Sequence, residues 1–529
     1  MRRHRWGLVC IGLLVHVAVA EAAPRGVRLT YAGDPATSMA VSWNSAAAGD
    51  DQVIYGTSPA TLDQGVTAQQ TFAIGAELGT GFSAVLTGLQ PATTYYYRVG
   101  SAGNYHPAES VEPFSFTTLS DDPCAPFTFV LIGDNRADLD GMTSPVWPDI
   151  LAEAMAKSPA FFVNTGDMVK NGNATVEWSG FIDDSESGWA LVPSILTLGN
   201  HDNMDDNGPG ALYSQLFELP SNDANGWENY YAIDIGPIHF VSLDANARGT
   251  ELTQMAGWLA ADLAETSKPF KMVFFHHAIY SRGNHYTGEE DSGLLNKTLI
   301  PVFDANDVDF VFNGHSHNYE RYAPTIGVDP DWDSTATPRS FPVGQGSAFP
   351  PGATLPDGAT ATTYLVSGGA GALTTEVAGI ECIDAGCTLC ISPFALGDCD
   401  ADVWDRDKDG MAFYEGKHNF TVFRVDGLRV EAEVWTTEAG NLGGGGDVVD
   451  SFVMTSGDQL DCGAAPPDAG PGNPGDDAGG NPGADAGGPG GGSPAGGCCD
   501  ASGGAVGSLL LAALVLAVVL RRRGSIARS

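Results

Sequence analysis

The sequence predicts an all-β sandwich followed by an α/β domain, and three observations carry that expectation. Residues 25–119 break into short runs that alternate apolar with polar residues, separated by Gly, Pro, Asp and Thr turns, the pattern of half-buried strands. From Phe127 onward apolar strands alternate with helical stretches, as in α/β cores. Five strands of that second region each run into a polar signature: Gly133-Asp134-Asn135-Arg136, Gly166-Asp167, Gly199-Asn200-His201-Asp202, His276-His277 and Gly314-His315-Ser316-His317. Ligand sites in α/β sheets collect beyond the carboxyl ends of strands, so five such endings in order point to a site. The chain has 529 residues, 43% of them apolar, which is enough for more than one packed domain.

In chain order, residues 1–22 read as an export signal. Arg2, Arg3, His4 and Arg5 precede an apolar run from Leu8 to Ala20, with small residues at Ala18, Ala20 and Ala22, as signal cleavage requires. Runs such as Met39–Trp43, Gln52–Tyr55 and Tyr95–Val99 supply strands of the first domain. No cluster of titratable residues falls there, so a spacer or docking role is the default. The stretch Leu86–Tyr97 resembles the corner and penultimate strand of a fibronectin type III sandwich.

The second domain is expected over 124–462. Within it Cys382, Cys387, Cys390 and Cys399 mark a cysteine-rich insertion over 380–410. In an exported chain these pair as two local disulfides more readily than they form a zinc site, because their spacing is irregular. Cys124 and Cys462 bracket the domain, and a bridge between them would close it. Residues 463–497 are almost all Gly, Pro, Asp, Ala and Asn, too poor in apolar side chains to fold. Over 498–529 follow Cys498-Cys499, an apolar run from Ala505 to Leu520, and Arg521-Arg522-Arg523. That order suits a membrane span with a cytoplasmic basic stop, and it resembles the MYXO-CTERM sorting tails of bacterial surface proteins. Both readings attach the chain to a membrane or cell surface through its C-terminal tail, with the body exported, at the cell surface or outer membrane or secreted.

Charge narrows the partners. With 65 acidic against 25 basic residues the net charge is −40, which repels nucleic acid polymers. It also repels anionic small molecules, unless bound cations reverse the field locally. The strand-end residues could hold such cations: Asp134, Asp167, Asn200, His276, His315 and His317 offer oxygen and imidazole donors, which suit iron, manganese or zinc. They are too many for one tetrahedral ion and suit two ions sharing a carboxylate. Paired ions of this kind clamp phosphate oxygens and activate water near neutral pH.

The ordered motifs, ending in Gly314-His315-Ser316-His317-Asn318-Tyr319-Glu320-Arg321, resemble the calcineurin-like metallophosphoesterases, and within them the purple acid phosphatases, which also carry a fibronectin-like domain ahead of the catalytic one. The resemblance covers residues 25 to about 455. It implies a β-sandwich flanked by helices for the second domain, and hydrolysis of phosphate monoesters on small phosphorylated substrates. Asp167 would bridge the metals, Asp134 and His317 would bind the first, and Asn200, His276 and His315 the second. His201 would hydrogen-bond the phosphate or protonate the leaving alkoxide, and His285, in the family's substrate-facing loop, would contact phosphate or donate a proton. His277 reads as a rim or supporting residue.

Two positions depart from the family. The purple enzymes carry a tyrosine three residues after the bridging aspartate, where this chain has Lys170, so no iron–phenolate colour is expected. Many relatives place a histidine two residues after the first aspartate, where this chain has Arg136. Arginine cannot ligate a cation. Two roles stay open for it: a forked donor to the phosphate, or an ion-pair partner of the ligand carboxylates. Two other readings of function also stay open, an extracellular phosphodiesterase for nucleotides or lipids and a surface binding protein with an eroded metal site.

Three remaining features carry less. Asp405, Asp407 and Asp409 with Gly410 match the first half of a calcium loop, but position twelve is Gly416, so a structural calcium there competes with a plain solvated turn. His239 sits in an apolar strand and reads as packing. His418 precedes the apolar run Phe420–Val425 and reads as structural.

Overall fold

The computed structural model describes residues 23–204, 210–222, 228–281, 285, 290–325, 352–355, 358, 361–374, 381–382, 389–392, 395–398, 411–437, 446–458 and 460. The export signal, the linker, the C-terminal tail and the Asp405–Gly410 loop lie outside these residues. Among the described residues no helix is long and apolar enough to cross a membrane.

The first domain is the expected sandwich. One of its sheets orders Gln64–Thr67, Gln52–Gly56, Thr94–Ser101 and Asn104–His106, with Phe114–Thr117 also paired to Thr94–Ser101. Its other sheet, Arg25–Thr30, Ser38–Ser45, Gly79–Thr87 and Gln70–Gly75, does not end at the domain boundary. Thr30 pairs in parallel with Ser194, and the strands continue as one eleven-stranded sheet through Ser194–Leu196, Phe161–Asn164, Phe127–Ile132, Asn419–Asp426, Arg429–Thr436, Val448–Thr455 and Ala353–Leu355. The two domains therefore share a sheet. The helix Thr175–Trp189 reinforces the joint: Glu186 accepts from Val27 N at 2.9 Å and meets His106 Nε2 at 2.8 Å.

The second layer of the α/β domain is a seven-stranded sheet, ordered Tyr231–Ile235, Ile238–Ser242, Phe270–Phe274, Phe310–Asn313, Thr363–Ser367, Tyr319–Tyr322 and Met411–Glu415. Its four central strands are parallel. The two sheets pack face to face through aromatic rings. Phe129 stacks on Phe423 at 4.6 Å between centroids and meets Phe240 edge-on at 5.4 Å, and Phe310 and Phe312 also contact Phe423. Each such ring, fully buried, contributes roughly 1.5–3 kcal/mol of hydrophobic stabilisation. The helices Trp147–Met155, Gly249–Glu265 and Glu290–Ala305 accompany the sheets, so the sandwich flanked by helices is what forms.

The cysteine-rich insertion contains a three-stranded sheet of Glu381–Cys382, Leu389–Ser392 and Ala395–Asp398; its side chains lie outside the description. Cys124 is disulfide-bonded; Cys462, expected to close the domain with it, lies outside the described residues. His418, read as structural, is buried with Nδ1 donating to the Gly369 carbonyl at 3.0 Å.

Candidate active site

The site forms where the parallel strands of both sheets end. Phe127–Ile132 and Phe161–Asn164 lie in register, Ile132 opposite Asn164, so the loops carrying Asp134 and Asp167 leave side by side. The chain turns sharply there. Asp134, Asp167 and His315 adopt positive φ of 58°, 57° and 70°, a left-handed conformation that costs a non-glycine residue energy and persists where the surroundings impose it. The neighbouring glycines make room: a Cβ on Gly199 would fall on the Asp167 carboxylate, and one on Gly314 would crowd Asp134 Oδ2.

Asp167, His276 and His315 are the one group of three or more such donors, among the described residues, whose ligand atoms all lie within 4.8 Å of one another. His276 Nε2 sits 3.3 Å from Asp167 Oδ1, 3.1 Å from His315 Nδ1 and 3.0 Å from Asn200 Oδ1. Its other nitrogen, Nδ1, donates to the Thr165 carbonyl at 2.9 Å, which fixes the ring and aims Nε2 inward. Such a carbonyl partner is how metal-binding histidines are oriented.

Asp134 and His317 lie beside each other. The Asp134 carboxylate accepts from His315 N at 3.0 Å and lies 3.6 Å from His317 Nε2. His317 Nδ1 donates to the Leu373 carbonyl at 3.1 Å, so its Nε2 also faces the centre. Arg136 lies against His317 and Asp167. Its Nε donates to Asp167 Oδ2 at 3.2 Å and its Nη2 to His317 Nε2 at 3.1 Å. Arg136 thus forms an ion pair with Asp167. Lys170, in the tyrosine's place, is directed elsewhere: its ammonium bonds the Asp138 carbonyl and lies 3.4 Å from Asp140.

His201 is oriented by its backbone and its ring. Its N–H donates to Asp167 Oδ1 at 3.0 Å, and Nδ1 donates to the Lys170 carbonyl at 2.6 Å. Nε2 is left 4.0 Å from Asp167 Oδ2, on the partly open side of the site. His285 stacks on His315, ring centroids 3.7 Å apart. His277 is buried and packs against the same ring at 4.5 Å, apart from the donor cluster.

The electrostatics suit a cation. Burial pushes the Asp134 carboxyl well above the usual range, and Asp167 beside it adds to the effect, against His276 and Arg136. Asp167 is held well below that range, since His276, His201 and Arg136 outweigh its burial. His276 is raised to about 9 although burial opposes it, because Asp167 and Asp134 lie beside it. Burial and the neighbouring His277 keep His315 neutral, and burial with Arg136 lowers His317 to about 3. Two buried carboxylates thus draw on His276 and Arg136 for positive charge. An ion among Asp167, Asn200, His276 and His315 would serve them better and would meet lone pairs, once His276 Nε2 releases its proton.

Three supporting groups carry no sign of their role in the sequence. Asp202 is 1% exposed. Its Oδ1 accepts from Met168 N and Val169 N at 2.9 and 3.1 Å, and its Oδ2 from Asp167 N and Gly199 N at 2.8 and 3.1 Å. One carboxylate thereby ties the Asp167 loop to the Asn200 loop. The only cue was its place two residues after Asn200. Glu320 accepts from Asn318, Ser281 and Tyr322 within the core. Arg321 forms a two-pronged pair with Asp450, Nε to Oδ2 at 2.7 Å and Nη2 to Oδ1 at 3.0 Å. The Tyr319-Glu320-Arg321 end of the last motif is therefore structural, joining the seven-stranded sheet to the eleven-stranded one.

Comparison with known proteins agrees with this architecture. Residues 24–118 match the family described as purple acid phosphatase, N-terminal domain, and residues 127–319 match the calcineurin-like phosphoesterases. An uncharacterised protein of Mycobacterium tuberculosis is 27% identical over 382 residues, spanning 65% of this chain and 69% of that protein. Purple acid phosphatase 18 of Arabidopsis thaliana is 26% identical over 317 residues, 57% of this chain and 67% of its own. Among solved structures, the purple acid phosphatase PPD1 of yellow lupin superposes with a TM-score of 0.59 at 18% identity, over 82% of this chain and 74% of that one. Its likeness bears on the fold. The chain couples a purple acid phosphatase N-terminal domain to a calcineurin-like phosphoesterase domain, and it is a phosphatase-type hydrolase.

Proposed function

We propose that the chain is an exported, metal-dependent phosphatase acting on small phosphate monoesters. The observation that carries this reading is the convergence of Asp167, Asn200, His276 and His315 around one point, with donor atoms 3.0 to 3.3 Å from His276 Nε2. When bound, a cation there would supply Lewis acidity toward a phosphoryl oxygen and acidify water. Iron, manganese and zinc all suit the donor set.

The chain's own side chains do the rest. Thr165 and Leu373 hold His276 and His317 by their outer nitrogens, so neither ring turns from the centre. His201, its Nδ1 locked on the Lys170 carbonyl, presents Nε2 on the open side, where it would hydrogen-bond the ester oxygen. His285, stacked on His315, would close the phosphate side. A cationic centre of this kind draws a phosphate ester toward a protein of net charge −40. The preference for monoesters follows the curated relatives, which include a phosphoenolpyruvate phosphatase of Allium cepa, 25% identical over 323 residues. Export and surface attachment rest on the sequence of the two termini, and a structural calcium at Asp405–Asp409 on that loop alone.

The test compares hydrolysis of nitrophenyl phosphate and bis-nitrophenyl phosphate by the metallated chain and by Asp167→Asn. Turnover of the monoester that the substitution abolishes supports the proposal. Turnover of the bis-ester alone would replace it with a phosphodiesterase. Turnover of neither, from acid to alkaline pH, would leave a displayed binding protein.

A further inference from the structure

We propose that the guanidinium of Arg136 stands in the place of the first metal ion, so that this chain holds a single cation, at Asp167, Asn200, His276 and His315. The inference rests on the phosphoesterase reading of the site and specifies how that site is built.

Two of the atoms that the Arg136 side chain contacts are ones that a first metal ion could take as donors. Asp167 divides its carboxylate: Oδ1 faces His276 at 3.3 Å, while Oδ2 accepts from Arg136 Nε at 3.2 Å. His317, whose Nδ1 is committed to the Leu373 carbonyl, turns its lone pair on Nε2 to Arg136 Nη2 at 3.1 Å. An ion bound to both atoms would sit about 2.0–2.2 Å from each, against the same edge of the guanidinium and repelled by its charge. A guanidinium stays protonated at any accessible pH and offers donors only. It cannot join a coordination shell as a histidine side chain could.

Arg136 is also built into position. It is 8% exposed. Its backbone N–H donates to the Asp167 carbonyl at 3.0 Å. Nη1 reaches the Ala137 carbonyl at 3.2 Å and Asp138 Oδ1 at 3.5 Å. Asp138 Oδ2 in turn accepts from Leu373 N at 2.8 Å, and the Leu373 carbonyl holds His317. The circuit Arg136–Asp138–Leu373–His317 closes on itself. In keeping with this, Asp134 and His317 fall outside the group of mutually close donors formed by Asp167, His276 and His315. The arrangement places one fixed positive charge, with one Nη2 N–H left over for a phosphoryl oxygen, beside one exchangeable cation.

The experiment counts ions. The purified full chain is stripped with chelator and dialysed against Mn²⁺ or Zn²⁺, and bound metal per chain is measured by elemental analysis. The manganese form is also read by electron paramagnetic resonance. The expected result is one ion per wild-type chain with the spectrum of an isolated Mn²⁺. Arg136→His, folded as judged by circular dichroism, should bind two and show a spin-coupled pair. Two ions or a coupled pair in the wild type would overturn the proposal, since the guanidinium would then have yielded to a metal. A folded Arg136→His chain that stays at one ion would overturn it too. If the variant fails to fold, the wild-type count decides alone. A wild-type chain that binds no ion would instead remove the phosphoesterase reading on which the inference rests.

Discussion

Asp202 is the residue through which the two central ligand loops hold each other, and its removal should uncouple them. In Asp202→Ala four buried backbone N–H groups, those of Asp167, Met168, Val169 and Gly199, lose their acceptor. Each buried donor left without a partner costs about 1–3 kcal/mol. The four share one site and do not add, because water entering the vacated space satisfies some of them. A loss of roughly 3–5 kcal/mol is therefore expected. With about 2.1 cal/mol/K of unfolding entropy per residue over roughly 400 residues, melting falls by only about 4–6 °C. Activity should suffer more than stability. The Asp167 carboxylate and the Asn200 amide are placed by these loops, and displacing reacting groups by about 1 Å costs on the order of a hundredfold. Asp202→Asn is the sharper probe, because its amide keeps one acceptor and turns N–H groups toward two of the four donors. It should fall between wild type and Asp202→Ala in both readouts. The assay pairs calorimetric melting with steady-state hydrolysis of nitrophenyl phosphate. An Asp202→Ala chain that melts within about 1 °C of wild type and keeps its turnover would refute the claim that this carboxylate sets the site.

Two further changes test the scaffold. His239, which the sequence read as packing, is clasped by Asp234 at 2.7 Å and Asp262 at 2.8 Å; burial opposes its charge, yet the two carboxylates raise it to about 9. Because its folded value lies above the unfolded one near 6.5, its contribution is complete below about pH 6.5 and is lost as pH rises through about 9. With Asp234 half-exposed the effect is about 1–2 kcal/mol, so melting temperature measured from about pH 6 to 10 should decline less steeply in His239→Gln than in wild type, and parallel curves would dismiss the role. Asp450→Ala removes the two-pronged partner of the fully buried Arg321, which should cost about 3–5 kcal/mol; Arg321→Met with Asp450→Leu should recover most of it in urea unfolding, and equal losses in the single and double variants would contradict this account.

Much of the site was legible because strands and ligands share one grammar. An apolar run that stops at Asp, Asn or His names both a sheet position and a candidate donor, and Asp167, Asn200, His276 and His315, which the structure brings together, were read that way. What the letters did not carry was direction. Arg136 was visible as a departure, but its two roles differ only in where the guanidinium points, and that is decided by Asp138, Leu373 and His317, the last two more than two hundred and more than a hundred and eighty positions away in the chain. Asp202 was hidden for a related reason: a carboxylate that accepts only from backbone leaves no complementary residue type to notice. The shared sheet was invisible too, because Thr30 and Ser194 meet through a single registered pair, and no periodicity within either strand announces its neighbour.

The division of Asp167 links these levels. A carboxylate can bridge two dications through one oxygen or by giving one to each, and in this chain Asp167 Oδ1 also accepts from His201 N at 3.0 Å. Here Asp167 holds a left-handed φ of 57°, and its own N–H is committed to Asp202. One oxygen faces the His276 cluster and the other faces Arg136. In the proposed single-cation site, this backbone scaffold sets one oxygen toward the cation and the other toward the Arg136 guanidinium. That scaffold gives the histidine substitution at position 136 its force: if the geometry of Asp134, Asp167 and His317 persists, returning a donor in place of the guanidinium should be enough to admit a second ion without rebuilding any loop.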